Sequence, residues 1–312
     1  MSLVKFTLTN RLPRLEDARS YVLHDGLVAA VKVAMALDKP LLLMGEPGTG
    51  KTKLAYKLAA DLADEGKGDF GEEPLRFNCK AGSEAKDVLY RYDAVRRFHD
   101  AHSEGGKLDV MTYIVPRALG KAIALTNVEE AIENGFLHEE RKRQSSVVLI
   151  DEIDKAPKDF ANALLDVLEE GKRRFWVDEA GIEVVGGEGK HRVFVVITSN
   201  GERPLPEAFL RRCVFYHIPF PSSKELLQIV GLYMGKESEY YDEVFIDMFL
   251  EVRRKMDYHR PATASLIEWL RVLELEGITK KGLLDEGVKG TIVRTSLGVL
   301  VKTVEDLRKV EG

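Results

Sequence analysis

Apolar positions recur at helical spacing early in the chain. From about residue 16 to 38, Val28, Val31, Ala34, Met35 and Leu37 share one stripe, which predicts a helix buried along that face. Pro40 separates it from the contiguous apolar run Leu41-Leu42-Leu43-Met44, which reads as a strand. A glycine-rich loop follows, and then the helix-prone stretch Lys53 to Ala59. A polar, glycine-containing turn from Asp64 to Pro74 leads to a short strand, Leu75 to Cys79. Residues 80–144 are charged and without strand alternation, which predicts two or three helices with a loop around residues 102–107.

Strands dominate the next stretch. Val147 to Ile150 is aliphatic throughout, as expected of a strand buried on both faces. Phe160, Leu164, Val167 and Leu168 make a helical stripe ending before Gly171. Residues 172–187 read as a β-hairpin, with Phe175 and Val177 alternating, a turn at Asp178 to Gly181, and Ile182 and Val184 on the return. Such a hairpin suits either a client contact or a simple connector. Arg192 to Asn200 is another buried strand with a polar tip, Leu205 to Arg212 a short helix, and Val214 to Ile218 a last strand. After Pro219-Phe220-Pro221 the pattern is helical: 223–234, 242–257, 263–276 and roughly 288–307. This places a boundary near 220, between a core over 1–220 and an α-helical lid over 221–312.

Composition changes this picture little. At 312 residues the chain can bury a full core plus a smaller unit. With 46 basic and 51 acidic residues its formal charge is −5, so no global field favours nucleic acid. Cys79 and Cys213 make neither a disulfide framework nor a metal spacing, which fits a reducing cytoplasm. His99 and His102 lack a third ligand nearby and read as solvated helix residues. No apolar run approaches the roughly 20 residues of a membrane span, and no signal peptide is expected. Asp87 to Asp93 and Arg96-Arg97-Phe98 mix aromatic and basic residues, as a contact surface or a plain amphipathic helix would.

The candidate chemistry begins at Gly45-Glu46-Pro47-Gly48-Thr49-Gly50-Lys51-Thr52, which fits G-x-x-x-x-G-K-[ST]. Glycines here let backbone N–H groups turn inward around phosphate oxygens, and the following helix aims its positive end at them. Lys51 is expected to reach the β- and γ-phosphates and Thr52 to ligate Mg²⁺. Asp151 and Glu152 sit at the C-terminal end of the Val147 strand, where parallel sheets place ligands. Asp151 suits Mg²⁺ through water, and Glu152 suits orienting and deprotonating an attacking water. Asn200 ends a neighbouring strand and suits a hydrogen bond to the γ-phosphate or that water. Arg211 and Arg212 suit charge on a transferring phosphoryl group.

Together these motifs resemble the AAA+ ATPases and, within them, the MoxR family of the helix-2-insert clade. The tail, with Arg260-Pro261-Ala262-Thr263-Ala264-Ser265, resembles the CoxD-like branch, associated with maturing molybdenum hydroxylases. The resemblance implies an α/β P-loop NTPase fold, an αβα sandwich with a parallel sheet and a helical lid. It implies an insert at about 80–144 and a ring, usually of six. Lys51 and Thr52 match the first Walker motif, Asp151 and Glu152 the second, and Asn200 the first sensor. Arg212 matches the arginine finger that acts on a neighbouring subunit, with Arg211 as the fallback. Arg260 falls where a second sensor contacts nucleotide, though here as Arg-Pro rather than Pro-Arg. The implied cofactors are ATP and Mg²⁺. The implied activity is remodelling of a client protein or metalloenzyme with a von Willebrand factor A (VWA) domain partner. Competing readings are a nucleic-acid motor or loader, an NTP-dependent restriction subunit, a small-molecule kinase and a nucleotide-gated scaffold.

Overall fold

Aliphatic strands alternate with amphipathic helices, and in the computed structural model they build a layered α/β core followed by a helical region. The structure describes residues 21, 23–66, 69–104, 109–139, 141–168, 173–256, 259–281, 296 and 298–311. In chain order come α1 (Asp25–Ala36), β1 (Leu41–Met44), α2 (Lys51–Glu65), β2 (Leu75–Asn78) and β3 (Tyr90–Tyr92). Then follow α3 (Ala94–Glu104), β4 (Ile114–Pro116), α4 (Ala118–Thr126), α5 (Val128–Glu133), β5 (Ser146–Asp151) and α6 (Lys158–Leu168). The core closes with β6 (Arg174–Val177), β7 (Ile182–Val185), β8 (Val193–Ser199), α7 (Glu207–Arg212) and β9 (Val214–His217). The helical region holds α8 (Ser223–Met234), α9 (Glu243–Lys255), α10 (Thr263–Leu275) and α11 (Val304–Glu311).

The central sheet is five-stranded in the order β2-β5-β8-β1-β9, and every pairing in it is parallel. Strand side chains alternate between its faces. Leu41, Leu43, Val147, Leu149, Phe194 and Val196 pack with α1 and α2 on one side. Leu42, Val148, Ile150, Val195 and Ile197 pack with α4 and α6 on the other. Both faces are therefore dry, which is why β1, β5 and β8 read as unbroken apolar runs. A separate cluster, with Phe245, Phe249, Trp269 and Leu270 fully or almost fully buried, holds the helical region together, and Phe220 packs against it.

Several expectations need correction. The helix foreseen from residue 16 begins at Asp25, because His24 is extended; residues 16–20 and 22 lie outside the described residues. Leu27 is fully buried on its inward face, whereas Leu37, past its end, is 48% exposed. Residues 80–144 are not helical throughout: β3 and β4 pair as an antiparallel ribbon, Tyr90 opposite Pro116. Strands of three residues carry too little alternation to register in sequence. Within the same stretch α4 is buried along nearly its whole length against the sheet, so it belongs to the core. The hairpin of β6 and β7 buries Phe175, Val177 and Val184 in that core and turns Trp176 outward. The helix expected over roughly 288–307 falls partly on residues 288–295 and 297, outside those described. Its later part breaks before α11, where Thr303 accepts from the Asp306 N–H at 3.1 Å and caps a fresh helix.

Candidate functional site

The loop between β1 and α2 is shaped by its glycines. Gly48 and Gly50 take φ of 76° and 87°, in the region that side chains rarely enter. A Cβ on Gly50 would press on the Tyr21 ring at 2.8 Å, and one on Gly48 would overlap the Ala262 methyl. Gly50 is also the N-cap of α2, so Lys51 and Thr52 open that helix. Lys51 is buried, and its Nζ donates to Gly45 O at 2.7 Å and to Glu46 O at 2.9 Å. Burial lowers its pKa, opposed by Asp154, Asp151, Glu152 and Glu46.

Asp151 ends β5 and is nearly buried. Its Oδ1 accepts from Thr198 Oγ1 at 2.6 Å and Thr52 Oγ1 at 3.0 Å, and its Oδ2 from Arg76 Nη2 at 2.7 Å. The same Thr198 hydroxyl accepts the Glu152 N–H at 2.8 Å. Neighbouring strand tips thereby hold the turn in which Glu152 adopts left-handed φ of 59° and ψ of 52°, a conformation costing about 1–2 kcal/mol for a residue with a Cβ. The Glu152 carboxylate is engaged by Lys155 at 2.7 Å. Asp154 is buried and accepts the N–H groups of Asn200 at 3.1 Å and Glu202 at 3.0 Å, which ties the loop after β8 to the turn after β5.

Most of these groups, though not Gly45, Glu46 or Asp154, line a cleft of about 720 Å³, within the range of ligand sites. Its floor includes Gly48 to Thr52, Asp151, Glu152, Thr198 and Asn200. Its other wall is helical, with Ile229 and Tyr233 from α8 and Thr263, Ala264 and Ile267 from α10. Tyr233 receives a hydrogen bond from Lys53, His24 lies 3.0 Å from Glu225, and Arg253 of α9 pairs with Glu46 of the loop. The donor set fits a nucleoside triphosphate with its metal: a glycine cradle, a buried ammonium, and hard oxygens on Thr52 and Asp151. Among the described residues no cluster of three or more His, Cys, Asp or Glu could hold a metal. Mg²⁺ bound to phosphates needs only one or two protein carboxylates.

Some candidates lie elsewhere. Arg211 and Arg212 end α7, exposed and outside the cleft, with Arg211 paired to Glu207 one turn back. Arg260 is a correction: it is not in the cleft but beside a separate hollow with Asp247 and Arg254, its Nε donating to Met256 O at 3.2 Å. It sits in the link between α9 and α10, whereas Arg253 lies on the buried face of α9 and reaches the loop. Sequence reasoning missed Arg76, Asp154, Thr198 and Arg253. Asp154 and Thr198 stood beside the motifs, and the polar tip Thr198-Ser199-Asn200 was the signal for the second. Nothing local marks Arg76 or Arg253.

Among the described residues no helix is long and apolar enough to cross a membrane. Residues 40–213 match the AAA domain of the dynein-related subfamily. The chaperone protein ClpB of Staphylococcus aureus (strain COL) is 28% identical over 195 residues, which cover 62% of this chain and 18% of that protein. ClpB of Meiothermus ruber is 29% identical over 212 residues, covering 62% and 20%. The chain thus matches only about a fifth of the length of these curated relatives. The family match spans more than half of the 312 residues and contains the loop, the Asp151-Glu152 pair at the end of β5 and the polar tip of β8, and the chain belongs to the AAA domain family, dynein-related subfamily.

Proposed function

We propose that this chain is a chaperone-like remodelling ATPase of the MoxR type. It hydrolyses ATP in a ring, usually of six, and acts on a client protein or metalloenzyme with a VWA-domain partner. The observation that carries this reading is the convergence of Lys51, Thr52, Asp151, Glu152 and Asn200 on one cleft whose opposite wall is a separately packed helical region. A site shared between two bodies suits coupling of ligand to movement. The low-identity likeness to a chaperone supports the same class.

In this mechanism the loop N–H groups and Lys51 bind the phosphates, and Thr52 and Asp151 would hold Mg²⁺. When bound, that ion would supply neutralisation of the phosphate charge. Thr198 keeps Asp151 and the Glu152 backbone in register. The Glu152 carboxylate leaves Lys155 to orient water and take its proton. Asn200, on a loop anchored by Asp154, donates toward the transferring phosphoryl group. Arg212, with Arg211 as the alternative, serves the neighbouring subunit; exposure of both outside their own cleft supports that assignment.

The test is ATP turnover against protein concentration, with Mg²⁺, for the wild type, Arg212→Ala and Glu152→Gln. Specific activity should climb with concentration. It should fall by about 10³ or more in Arg212→Ala, the scale of a trans-acting arginine. Glu152→Gln should bind ATP and not turn it over. A concentration-independent rate untouched by Arg212→Ala would remove the ring, and full rescue of the host's function by Glu152→Gln would remove the motor.

A further inference from the structure

Beside the nucleotide cleft lies a second hollow of about 660 Å³, along the outer side of β2. All of β2 lines it, together with the turn after that strand, Arg91 of β3 and the start of α4. Its charged residues are Arg76, Lys80, Arg91, Arg117 and Lys121, against the single carboxylate of Asp87. That is a strongly positive groove on a chain whose formal charge is −5. Lys80, Arg117 and Lys121 have no carboxylate within ion-pair distance among the described residues. Asp87 is spent on the Glu84 N–H at 2.8 Å. Arg117 is also the N-cap residue of α4, so the positive end of that helix adds to the field.

The backbone offers a second feature. β2 is an edge strand, hydrogen-bonded to β5 on one side only, with Arg76 and Asn78 on its exposed positions. An edge strand presents main-chain groups to which an extended peptide can pair. Arg76 and Arg91 are paired with Asp151 and Asp93, whereas Lys80, Arg117 and Lys121 are left unneutralised, so a ligand of opposite charge is the missing complement. Single-stranded nucleic acid would need stacking platforms. The one aromatic ring among the lining residues, Phe77, is stacked on Phe160.

We propose that this groove binds an extended, Asp/Glu-rich segment of a partner protein, which pairs along β2 and places its carboxylates on Arg76, Lys80, Arg117 and Lys121. The groove is coupled to the nucleotide cleft through Arg76, which lines both and holds Asp151 Oδ2 at 2.7 Å. A carboxylate drawing Arg76 outward frees that Asp151 oxygen for the metal, so the acidic segment accelerates turnover. This coupling rests on the ATPase reading above; the binding itself does not.

The probe is a short fluorescein-labelled peptide of alternating Glu and Thr, with its Gln-for-Glu counterpart, read by anisotropy on the full chain. The Glu peptide should bind, weaken as salt rises, and exceed the Gln peptide by about tenfold or more. Arg117→Glu/Lys121→Glu should lose that preference while retaining basal ATP turnover, and Arg117→Gln/Lys121→Gln should lose part of it. The Glu peptide should raise turnover in the wild type and not in the charge-reversed variant. Equal binding of both peptides, or none at low salt, would overturn the groove. So would tighter binding of an oligo-dT strand through the same residues, or a change of oligomeric state in the charge-reversed variant without peptide. Turnover insensitive to bound peptide would overturn the Arg76 coupling. Peptide binding on a chain that does not hydrolyse ATP would leave the groove standing and remove the ATPase reading instead.

Discussion

The Arg253 guanidinium, on the buried face of α9, pairs with the carboxylate of Glu46 in the phosphate loop. It also donates to Pro261 O at 2.7 Å and stacks 3.6 Å over the Phe220 ring. One side chain thus joins the loop, the start of the helical region and the link between α9 and α10. Arg253→Ala strands a buried carbonyl and should cost about 2 kcal/mol, a drop of several degrees in Tm by thermal unfolding. Arg253→Lys should rescue little, because a point charge cannot serve three directions as a planar fork does. An unchanged Tm in Arg253→Ala would show that the helical region docks without this residue.

Thr198 is fully buried and uses its one hydroxyl twice, donating to Asp151 and accepting from the Glu152 N–H. Thr198→Val keeps the shape and removes both bonds. It should destabilise the fold by about 1–3 kcal/mol and lower ATP turnover by about tenfold or more. Nucleotide affinity should change less, because the loop is untouched, and Thr198→Ser should restore turnover. Wild-type kcat in Thr198→Val would mean that Asp151 and Glu152 hold their places unaided.

Lys155 keeps the Glu152 carboxylate occupied, and that hydrogen bond raises the Lys155 pKa. Both groups are partly exposed, so the tether is weak. Lys155→Ala should therefore raise basal turnover by no more than a few-fold, with KM for ATP unaltered. A fall in kcat would reassign Lys155 from tether to participant.

The two thiols should be inert in the folded chain. Burial, helped by Asp151, Asp154 and Glu152, pushes the Cys79 pKa from 9.0 up to about 12, and burial does the same for Cys213. At pH 8 their thiolate fraction falls by about a thousandfold relative to a free thiol, and native labelling with a disulfide reagent should slow accordingly. Folding retains protons that the unfolded chain releases above 9.0, so stability should decline as pH rises from there toward 12. Cys79→Ala should flatten part of that decline. Rapid labelling at pH 8 without denaturant would show that the Cys79 side of the cleft opens in solution.

Much of this architecture could be read from the chain because its strongest signals are contiguous. β1, β5 and β8 are apolar runs ending in polar tips, and a strand that is dry on both faces has no other way to be written. The loop from Gly45 to Thr52 is legible for a similar reason, since its conformation is set by its own glycines. What escaped is what depends on distant partners. Arg76 alternates on an edge strand as any solvated residue would, and only β5 alongside shows that it meets Asp151. Arg253 looks like one of the basic residues that close α9, and its value comes from packing over Phe220. β3 and β4 escaped because each is too short to display a period and finds its partner across the intervening α3.

Gly48 and Ala262 touch with nothing but a hydrogen where a side chain would stand, so the loop and the helical region are already at their closest approach. Close-packed matter resists further compression steeply and separation only gently. The contact is therefore a mechanical end-stop. Any movement that brings the helical region nearer the loop is resisted at this contact, whereas movement away from it is not.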